Sequence, residues 1–212
     1  MFGAKNKKSD FVGKRIYSIE EYLEIEARLP EVYEFWDGLP IRLNLPDFFF
    51  RETVTRLEKI LSEAITEKNF KVFSNFFLKK KKVWIKSENC LFYPDLFVVG
   101  DKIDYYPERE DIITNPLMTI ECSPVDSMGS INGVTGDRTY LTDRTTKFWK
   151  YQKIPSLREY ILIADNGAEN IAETYIRLNE HDWKYRLFSK KENDFINFES
   201  IDLKFPIKTI YL

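Results

Sequence analysis

Two short apolar runs, Leu96-Phe97-Val98-Val99 and Leu117-Met118-Thr119-Ile120, constrain this chain more than any other feature. Runs of this length and composition, bounded by turn formers, read as buried strands at the centre of a sheet. Each carries one acid at an end. Asp95, after Tyr93-Pro94, opens the first, and Glu121 closes the second. An unpaired carboxylate among Val, Phe and Ile costs several kcal/mol or shifts its pKa. A divalent cation held by both acids removes that cost, and Asp143-Arg144-Thr145-Thr146-Lys147 supplies a lysine on a following helix. An Asp, a Glu and a Lys so disposed fit a Mg²⁺ (or Mn²⁺) site with a charge stabiliser beside it, the chemistry of phosphodiester hydrolysis.

The 212 residues suffice for one domain with a substantial core. No internal repeat or linker divides them, so the expected organisation is an N-terminal extension over 1–15 and a single domain over 16–212. A net charge of −2 argues against a general nucleic-acid coating protein. It leaves room for a nuclease, because acids in the site offset a local basic patch. Cys90 and Cys122 lie too far apart for a disulfide scaffold or a zinc ribbon, and reduced thiols fit a cytoplasmic protein. His181 is the single histidine, which removes His-based zinc centres and Ser-His-Asp triads together. Met1 to Lys8 is basic but lacks the apolar stretch of a secretory signal. No run approaches the ~20 apolar residues that cross a bilayer, so no membrane partner is expected.

Along the chain, Ser18-Ile19-Glu20-Glu21 has capping-box spacing and opens a short amphipathic helix that Pro30 stops. Val32 to Trp36 and Leu39 to Leu45 read as a hairpin about Asp37-Gly38. Phe50, Val54, Leu57, Leu61 and Ala64 keep helical spacing in a longer helix opened by Pro46-Asp47. Lys71 to Leu78 and Val83 to Lys86 read as two strands flanking Lys79 to Lys82. That lysine run, extended by Lys86, either grips phosphates or forms a solvated hairpin tip, and the second reading is favoured because no aromatics interleave it. Ser127 to Gly136 reads as a loop, Asp143 to Gln152 as a helix and Tyr160 to Ala164 as a buried strand. Ile171 to Arg177 with Trp183 to Phe188 reads as a closing hairpin.

Taken singly, each site residue has a plain structural reading. Asp95 caps a strand entry, Glu121 points to solvent from a strand end, and Lys147 pairs with Asp143 four residues earlier on one helix face. Cys122 reads as a small buried filler, since no nearby histidine activates it. Only the ordered set is informative.

That order begins with Tyr17-Ser18-Ile19-Glu20-Glu21-Tyr22, Tyr33-Glu34, Asp37-Gly38 and Tyr93-Pro94-Asp95. It continues through Ile120-Glu121-Cys122-Ser123-Pro124, Asp143…Lys147…Tyr151 and Ile154-Pro155-Ser156-Leu157-Arg158-Glu159-Tyr160. It resembles the Uma-type restriction endonuclease family of bacteria, in the PD-(D/E)xK nuclease superfamily, over residues 16–212. The resemblance implies a restriction-endonuclease-like α/β fold with a central mixed β-sheet flanked by helices. It also implies a metal-dependent endonuclease acting on nucleic acid, DNA first, with Mg²⁺ or Mn²⁺ held by Asp95, Glu121 and the Cys122 carbonyl. Glu34 would complete the metal shell or hold its water, and Lys147 would stabilise charge on the phosphate.

Two departures stand out. Ser123 occupies the position where the strict motif has lysine, which makes Lys147 the substitute and Lys150, facing away from the Asp143–Tyr151 stripe, the runner-up. The loop from Pro124 to Asp143 is long, and Phe48-Phe49-Phe50 stands where a histidine is common. A homodimer is expected, because enzymes that cut two strands pair two sites and two-fold dimers are the commonest soluble oligomers. The alternative from another class is a non-catalytic module that keeps the fold and binds nucleic acid or protein.

Overall fold

The computed structural model describes residues 15–43, 48–75, 81–124, 142–165 and 170–211, with backbone alone at 48–50, 123–124 and 165. The expected Ser127–Gly136 loop lies outside them. Helix α1 (Ile19–Glu26) starts at a complete capping box, in which Glu21 N–H donates to Ser18 Oγ and Ser18 N–H donates to Glu21. Strands β1 (Tyr33–Trp36) and β2 (Leu39–Arg42) pair from Trp36↔Leu39, leaving a two-residue Asp37-Gly38 turn with positive φ at both positions. Gly38 is required twice over, since a Cβ there would come within 2.5 Å of Ile16. Helix α2 (Phe48–Ala64) follows, then β3 (Lys71–Ser74), β4 (Lys82–Ile85), β5 (Cys90–Phe92), β6 (Leu96–Val99), β7 (Tyr105–Tyr106), β8 (Arg109–Ile113) and β9 (Pro116–Pro124). A π-helical turn over Asp143–Lys147 continues as the α-helix Phe148–Tyr151, together called α3. Strands β10 (Glu159–Asp165), β11 (Asn170–Arg177), β12 (Trp183–Ser189), β13 (Phe195–Phe198) and β14 (Leu203–Pro206) complete the order.

The fold is mixed α/β, but its strands divide between two six-stranded sheets rather than one. The first runs β2-β1-β5-β4-β8-β7 and the second β12-β11-β10-β9-β6-β3, with β13 and β14 as a separate pair. Both large sheets are mixed: β4 and β8 are parallel in one, β9 and β10 in the other. The second sheet is the core. Its alternate residues Leu96, Val98, Met118, Ile120 and Ile161 pack under Val54, Leu57 and Leu61 of α2. The opposite face sets Phe97, Val99, Tyr160 and Leu162 against Phe148 and Tyr151 of α3. Helices therefore cover both faces, and the strands, buried on two sides, read as unbroken apolar runs.

The chain passes from the first sheet to the second through Tyr93-Pro94-Asp95, between β5 and β6. Proline suits that crossing, because a residue between ladders needs no N–H. The expected hairpin about the lysines is not formed by these strands: β3 and β4 do not pair, since one borders the second sheet and the other lies inside the first. Lys82 is buried, with its ammonium 2.9 Å from Glu26 and 3.1 Å from Asp111, and Lys81 donates to the Glu110 carbonyl. Neither is a free phosphate grip, and Lys79 and Lys80 lie outside the described residues. Among the described residues no helix is long and apolar enough to cross a membrane.

Candidate active site

Strand alternation places the two acids. Asp95 precedes Leu96, which pairs with Ile120, so Asp95 falls opposite Glu121 on the α3 side of the second sheet. β9 runs on to Pro124, so Glu121 sits inside the strand instead of closing it, fully buried rather than pointing to solvent. Asp95 is half-buried, and its Oδ2 accepts the Cys122 N–H at 2.8 Å. The Cys122 side chain lies in the α2-side core, as the filler reading expects.

Lys147 comes from α3, which packs on that same face. Its ammonium lies 2.9 Å from Glu121 Oε1, 2.9 Å from Glu34 Oε1 and 3.9 Å from Asp143 Oδ1. All four side chains are at most 1% exposed, so these charges meet with almost no screening by water. The face of Phe92 lies 5.3 Å from the ammonium, a cation–π contact. Tyr151, one α-helical turn beyond Lys147, donates its hydroxyl to Glu121 Oε1 at 3.3 Å.

Glu34 reaches the cluster from β1 in the first sheet. Its Oε1 accepts the Tyr93 N–H at 3.1 Å and its Oε2 accepts Trp36 Nε1–H at 3.2 Å. Tyr93 is held in turn through its hydroxyl, which donates to Glu26. Burial, with Tyr22 and Glu26 nearby, pushes that hydroxyl far above its usual range, so it remains a donor. The site thus straddles the seam between sheets, with Glu34 on one side, Asp95 and Glu121 on the other, and Lys147 spanning them. Lys150 is elsewhere, paired with Glu88 at 2.6 Å.

Sequence reasoning missed Asp143 and Trp36 as members of this cluster. The shared face of Asp143, Lys147 and Tyr151 was the available signal for the first. Trp36, two residues after Glu34 on one strand face, offered a weaker one. The Lys147 contact also changes what neutralising Glu121 should do. Two like-charged acids alone would repel each other, so that neutralising one would leave stability unchanged or raise it slightly. A Glu121 bound to a buried ammonium predicts a loss.

Two carboxylates facing each other offer hard oxygen donors, the chemistry Mg²⁺ takes, and Mg²⁺ is commonly bound by one or two carboxylates plus substrate phosphate. Among the described residues no three His, Cys, Asp or Glu side chains form a ligand set. The donor chemistry therefore fits a cation completed by water and substrate, rather than a cage built wholly from side chains.

No family model matches the chain. It is similar to two proteins of Synechocystis, both named as uncharacterized. One, sll1609, is 24% identical over 169 residues, covering 80% of this chain and 85% of that protein. The other, slr1290, is 25% identical over 194 residues, covering 92% and 90%. The fold is similar to the crystal structure of "a putative nuclease belonging to DUF820" from Anabaena variabilis, with a TM-score of 0.63 and 16% identity over 92% of this chain and 97% of that one. At that identity the likeness establishes the fold.

Proposed function

We propose that this chain is a divalent-cation-dependent endonuclease of the Uma type, hydrolysing phosphodiester bonds in nucleic acid with DNA as its first substrate. The observation that carries the reading is the Lys147 ammonium, held between the buried carboxylates of Glu34 and Glu121 from two sheets, with Asp95 opposite Glu121 in the ladder. A buried salt bridge is a poor device for stability alone, whereas a preorganised cation next to an acid pair suits phosphoryl chemistry. The fold shared with the Anabaena protein, and the motif order quoted above, point the same way.

Asp95 and Glu121, with the Cys122 backbone, would hold Mg²⁺ or Mn²⁺. A bound cation there lowers the pKa of a water and offsets phosphate charge. Asp95 is the less buried of the two acids and so would be the more open to water and substrate. Lys147 supplies positive charge where negative charge builds on the phosphate. Glu34, Trp36 and the Tyr93 N–H fix the ammonium's position, and Tyr151 fixes Glu121. Two copies related by a two-fold axis would let the protein cut both strands.

The test is incubation of purified protein with supercoiled plasmid, single-stranded DNA and RNA, in Mg²⁺, Mn²⁺ or EDTA. Nicking that needs the cation and disappears in Asp95→Asn supports the reading. Cleavage that survives EDTA or that substitution places the chemistry elsewhere. Retention of DNA without cleavage under any cation marks a binding module. Light scattering should return twice the 25.3 kDa of one chain.

A further inference from the structure

A cavity of about 530 Å³ opens where α3 ends and the chain turns through Pro155 into β10. That volume lies within the ~300–1,000 Å³ usual for small-molecule sites. Its wall includes Lys153, Arg158, Arg177, Asn179, Glu180 and His181. In a chain of net charge −2, three cations and the single histidine thus share one concave surface with one carboxylate.

Arg177 is the fixed element of that wall. Its Nε–H donates to the Leu157 carbonyl at 2.7 Å, and its terminal nitrogen donates to the carbonyls of Gln152 at 2.6 Å and Ile154 at 3.0 Å. Its guanidinium lies 4.4 Å from the centre of the Trp183 ring. These partners are neutral, so they aim the charge without cancelling it. Burial, followed by the charge of Arg158, draws the Arg177 pKa below its usual range, and Glu180 opposes this weakly. Arg158 and Lys153 are exposed, and among the described residues neither side chain is bonded to a carboxylate. Three cations on one concave wall, against the single carboxylate of Glu180, leave an excess of positive charge suited to an anion.

We propose that this cavity binds a phosphate-bearing ligand of nucleotide size, with Arg177 as a preset anchor and Arg158 and Lys153 closing on the phosphate oxygens. The site is separate from the carboxylate–lysine cluster. Arg158 donates its N–H to Leu117, four residues before Glu121 on β9, so about 13 Å of strand lies between them. The phosphate could belong to a free nucleotide or to a nucleic-acid strand, and both present the same oxygens.

The experiment is titration calorimetry of the full chain in EDTA, so that no divalent cation serves the carboxylates and the outcome is independent of any nuclease activity. The probes are AMP, a short DNA oligonucleotide and inorganic phosphate. Saturable binding of AMP, or of the oligonucleotide alone, is expected, and the difference identifies the phosphate's source. The double variant Arg158→Ala/Lys153→Ala should weaken it at least about tenfold at unchanged melting temperature, with Arg158→Lys retaining most of it. Failure of the unmodified chain to bind AMP or the oligonucleotide, or equal affinity in the double variant, would overturn the proposal.

Discussion

Removing Lys147 is the sharpest perturbation this structure offers. Lys147→Met keeps the length and much of the volume of the side chain while deleting the ammonium. Glu121 and Glu34, each 2.9 Å from it, would then share a buried seam without their cation, with Asp143 a little further off. Breaking a buried pair by removing one partner costs ~3–5 kcal/mol. For a chain of this size that is a fall in melting temperature of about 6–20 °C. Urea unfolding of Lys147→Met measures it directly, and Lys150→Met is the matched control. Lys150 meets Glu88 at a partly exposed pair, so its loss should cost under about 1 kcal/mol. Adding Glu121→Gln to Lys147→Met should recover part of the loss, because one stranded charge goes with it. A Lys147→Met protein within about 1 kcal/mol of the unmodified chain, or no recovery in the double variant, would refute the argument that this cluster is a charge-matched unit.

Three further outcomes are expected. Asp95→Asn should abolish cation-dependent cleavage, by ~10²-fold or more, yet shift the melting temperature little, because Asn can still accept the Cys122 N–H; a large drop in melting temperature would make Asp95 structural. Lys82→Met should cost ~1–3 kcal/mol, chiefly by leaving Glu26 without its cation while Asp111 keeps its pair with Arg109, and leave the salt dependence of nucleic-acid binding unchanged; a flattened salt dependence would make Lys82 a phosphate contact after all. Burial pushes the Glu159 carboxyl up to about 7, against donors from Ser200 and Glu199 that favour its ionised form. The folded state therefore holds a proton that the unfolded chain releases near ~4.3. Stability should decline as pH rises from there through about 7, by ~4 kcal/mol in all, and Glu159→Gln should remove that slope in melts taken between pH 5 and 8.

How far the fold could be read in advance followed from how local each signal was. The strand Leu96–Val99, and Leu117–Ile120 within Pro116–Pro124, were legible because both faces are buried; the continuation past Glu121 was not, because a carboxylate there reads as a strand end. The turn at Asp37-Gly38 was legible because its φ values demand those residues. Cys90–Phe92 passed unread at three residues, and so did Arg109–Ile113, whose charged first half looks like loop. The division into two sheets was invisible, since nothing in Lys71–Ser74 or Lys82–Ile85 states which partner each will take. For the site, Asp95, Glu121 and Lys147 stood out through their company in sequence. Glu34 entered through the family resemblance alone, because the side chains and backbone that hold it come from distant positions.

The place of the lysine has a geometric reason. A lysine at position 123 would share the face of Glu121 by strand alternation, on the side covered by α3. Lys147 descends from α3 onto that same face, so an ammonium meets Glu121 from the helix where the strict motif would send one along the strand. The helix adds a second reach. A residue on β9 belongs to the second sheet, whereas Lys147 contacts Glu34 of the first as well. Its turn is π-helical, a rare geometry frequent at functional positions, and Asp143 and Lys147 both point from it into the seam. Restoring lysine at 123 in a Lys147→Met background separates the two roles. If the ammonium is needed only beside Glu121, cleavage should return while stability stays low, because Glu34 is still unmatched. If both recover, or neither does, the bridge between sheets is not a function separate from the charge at Glu121.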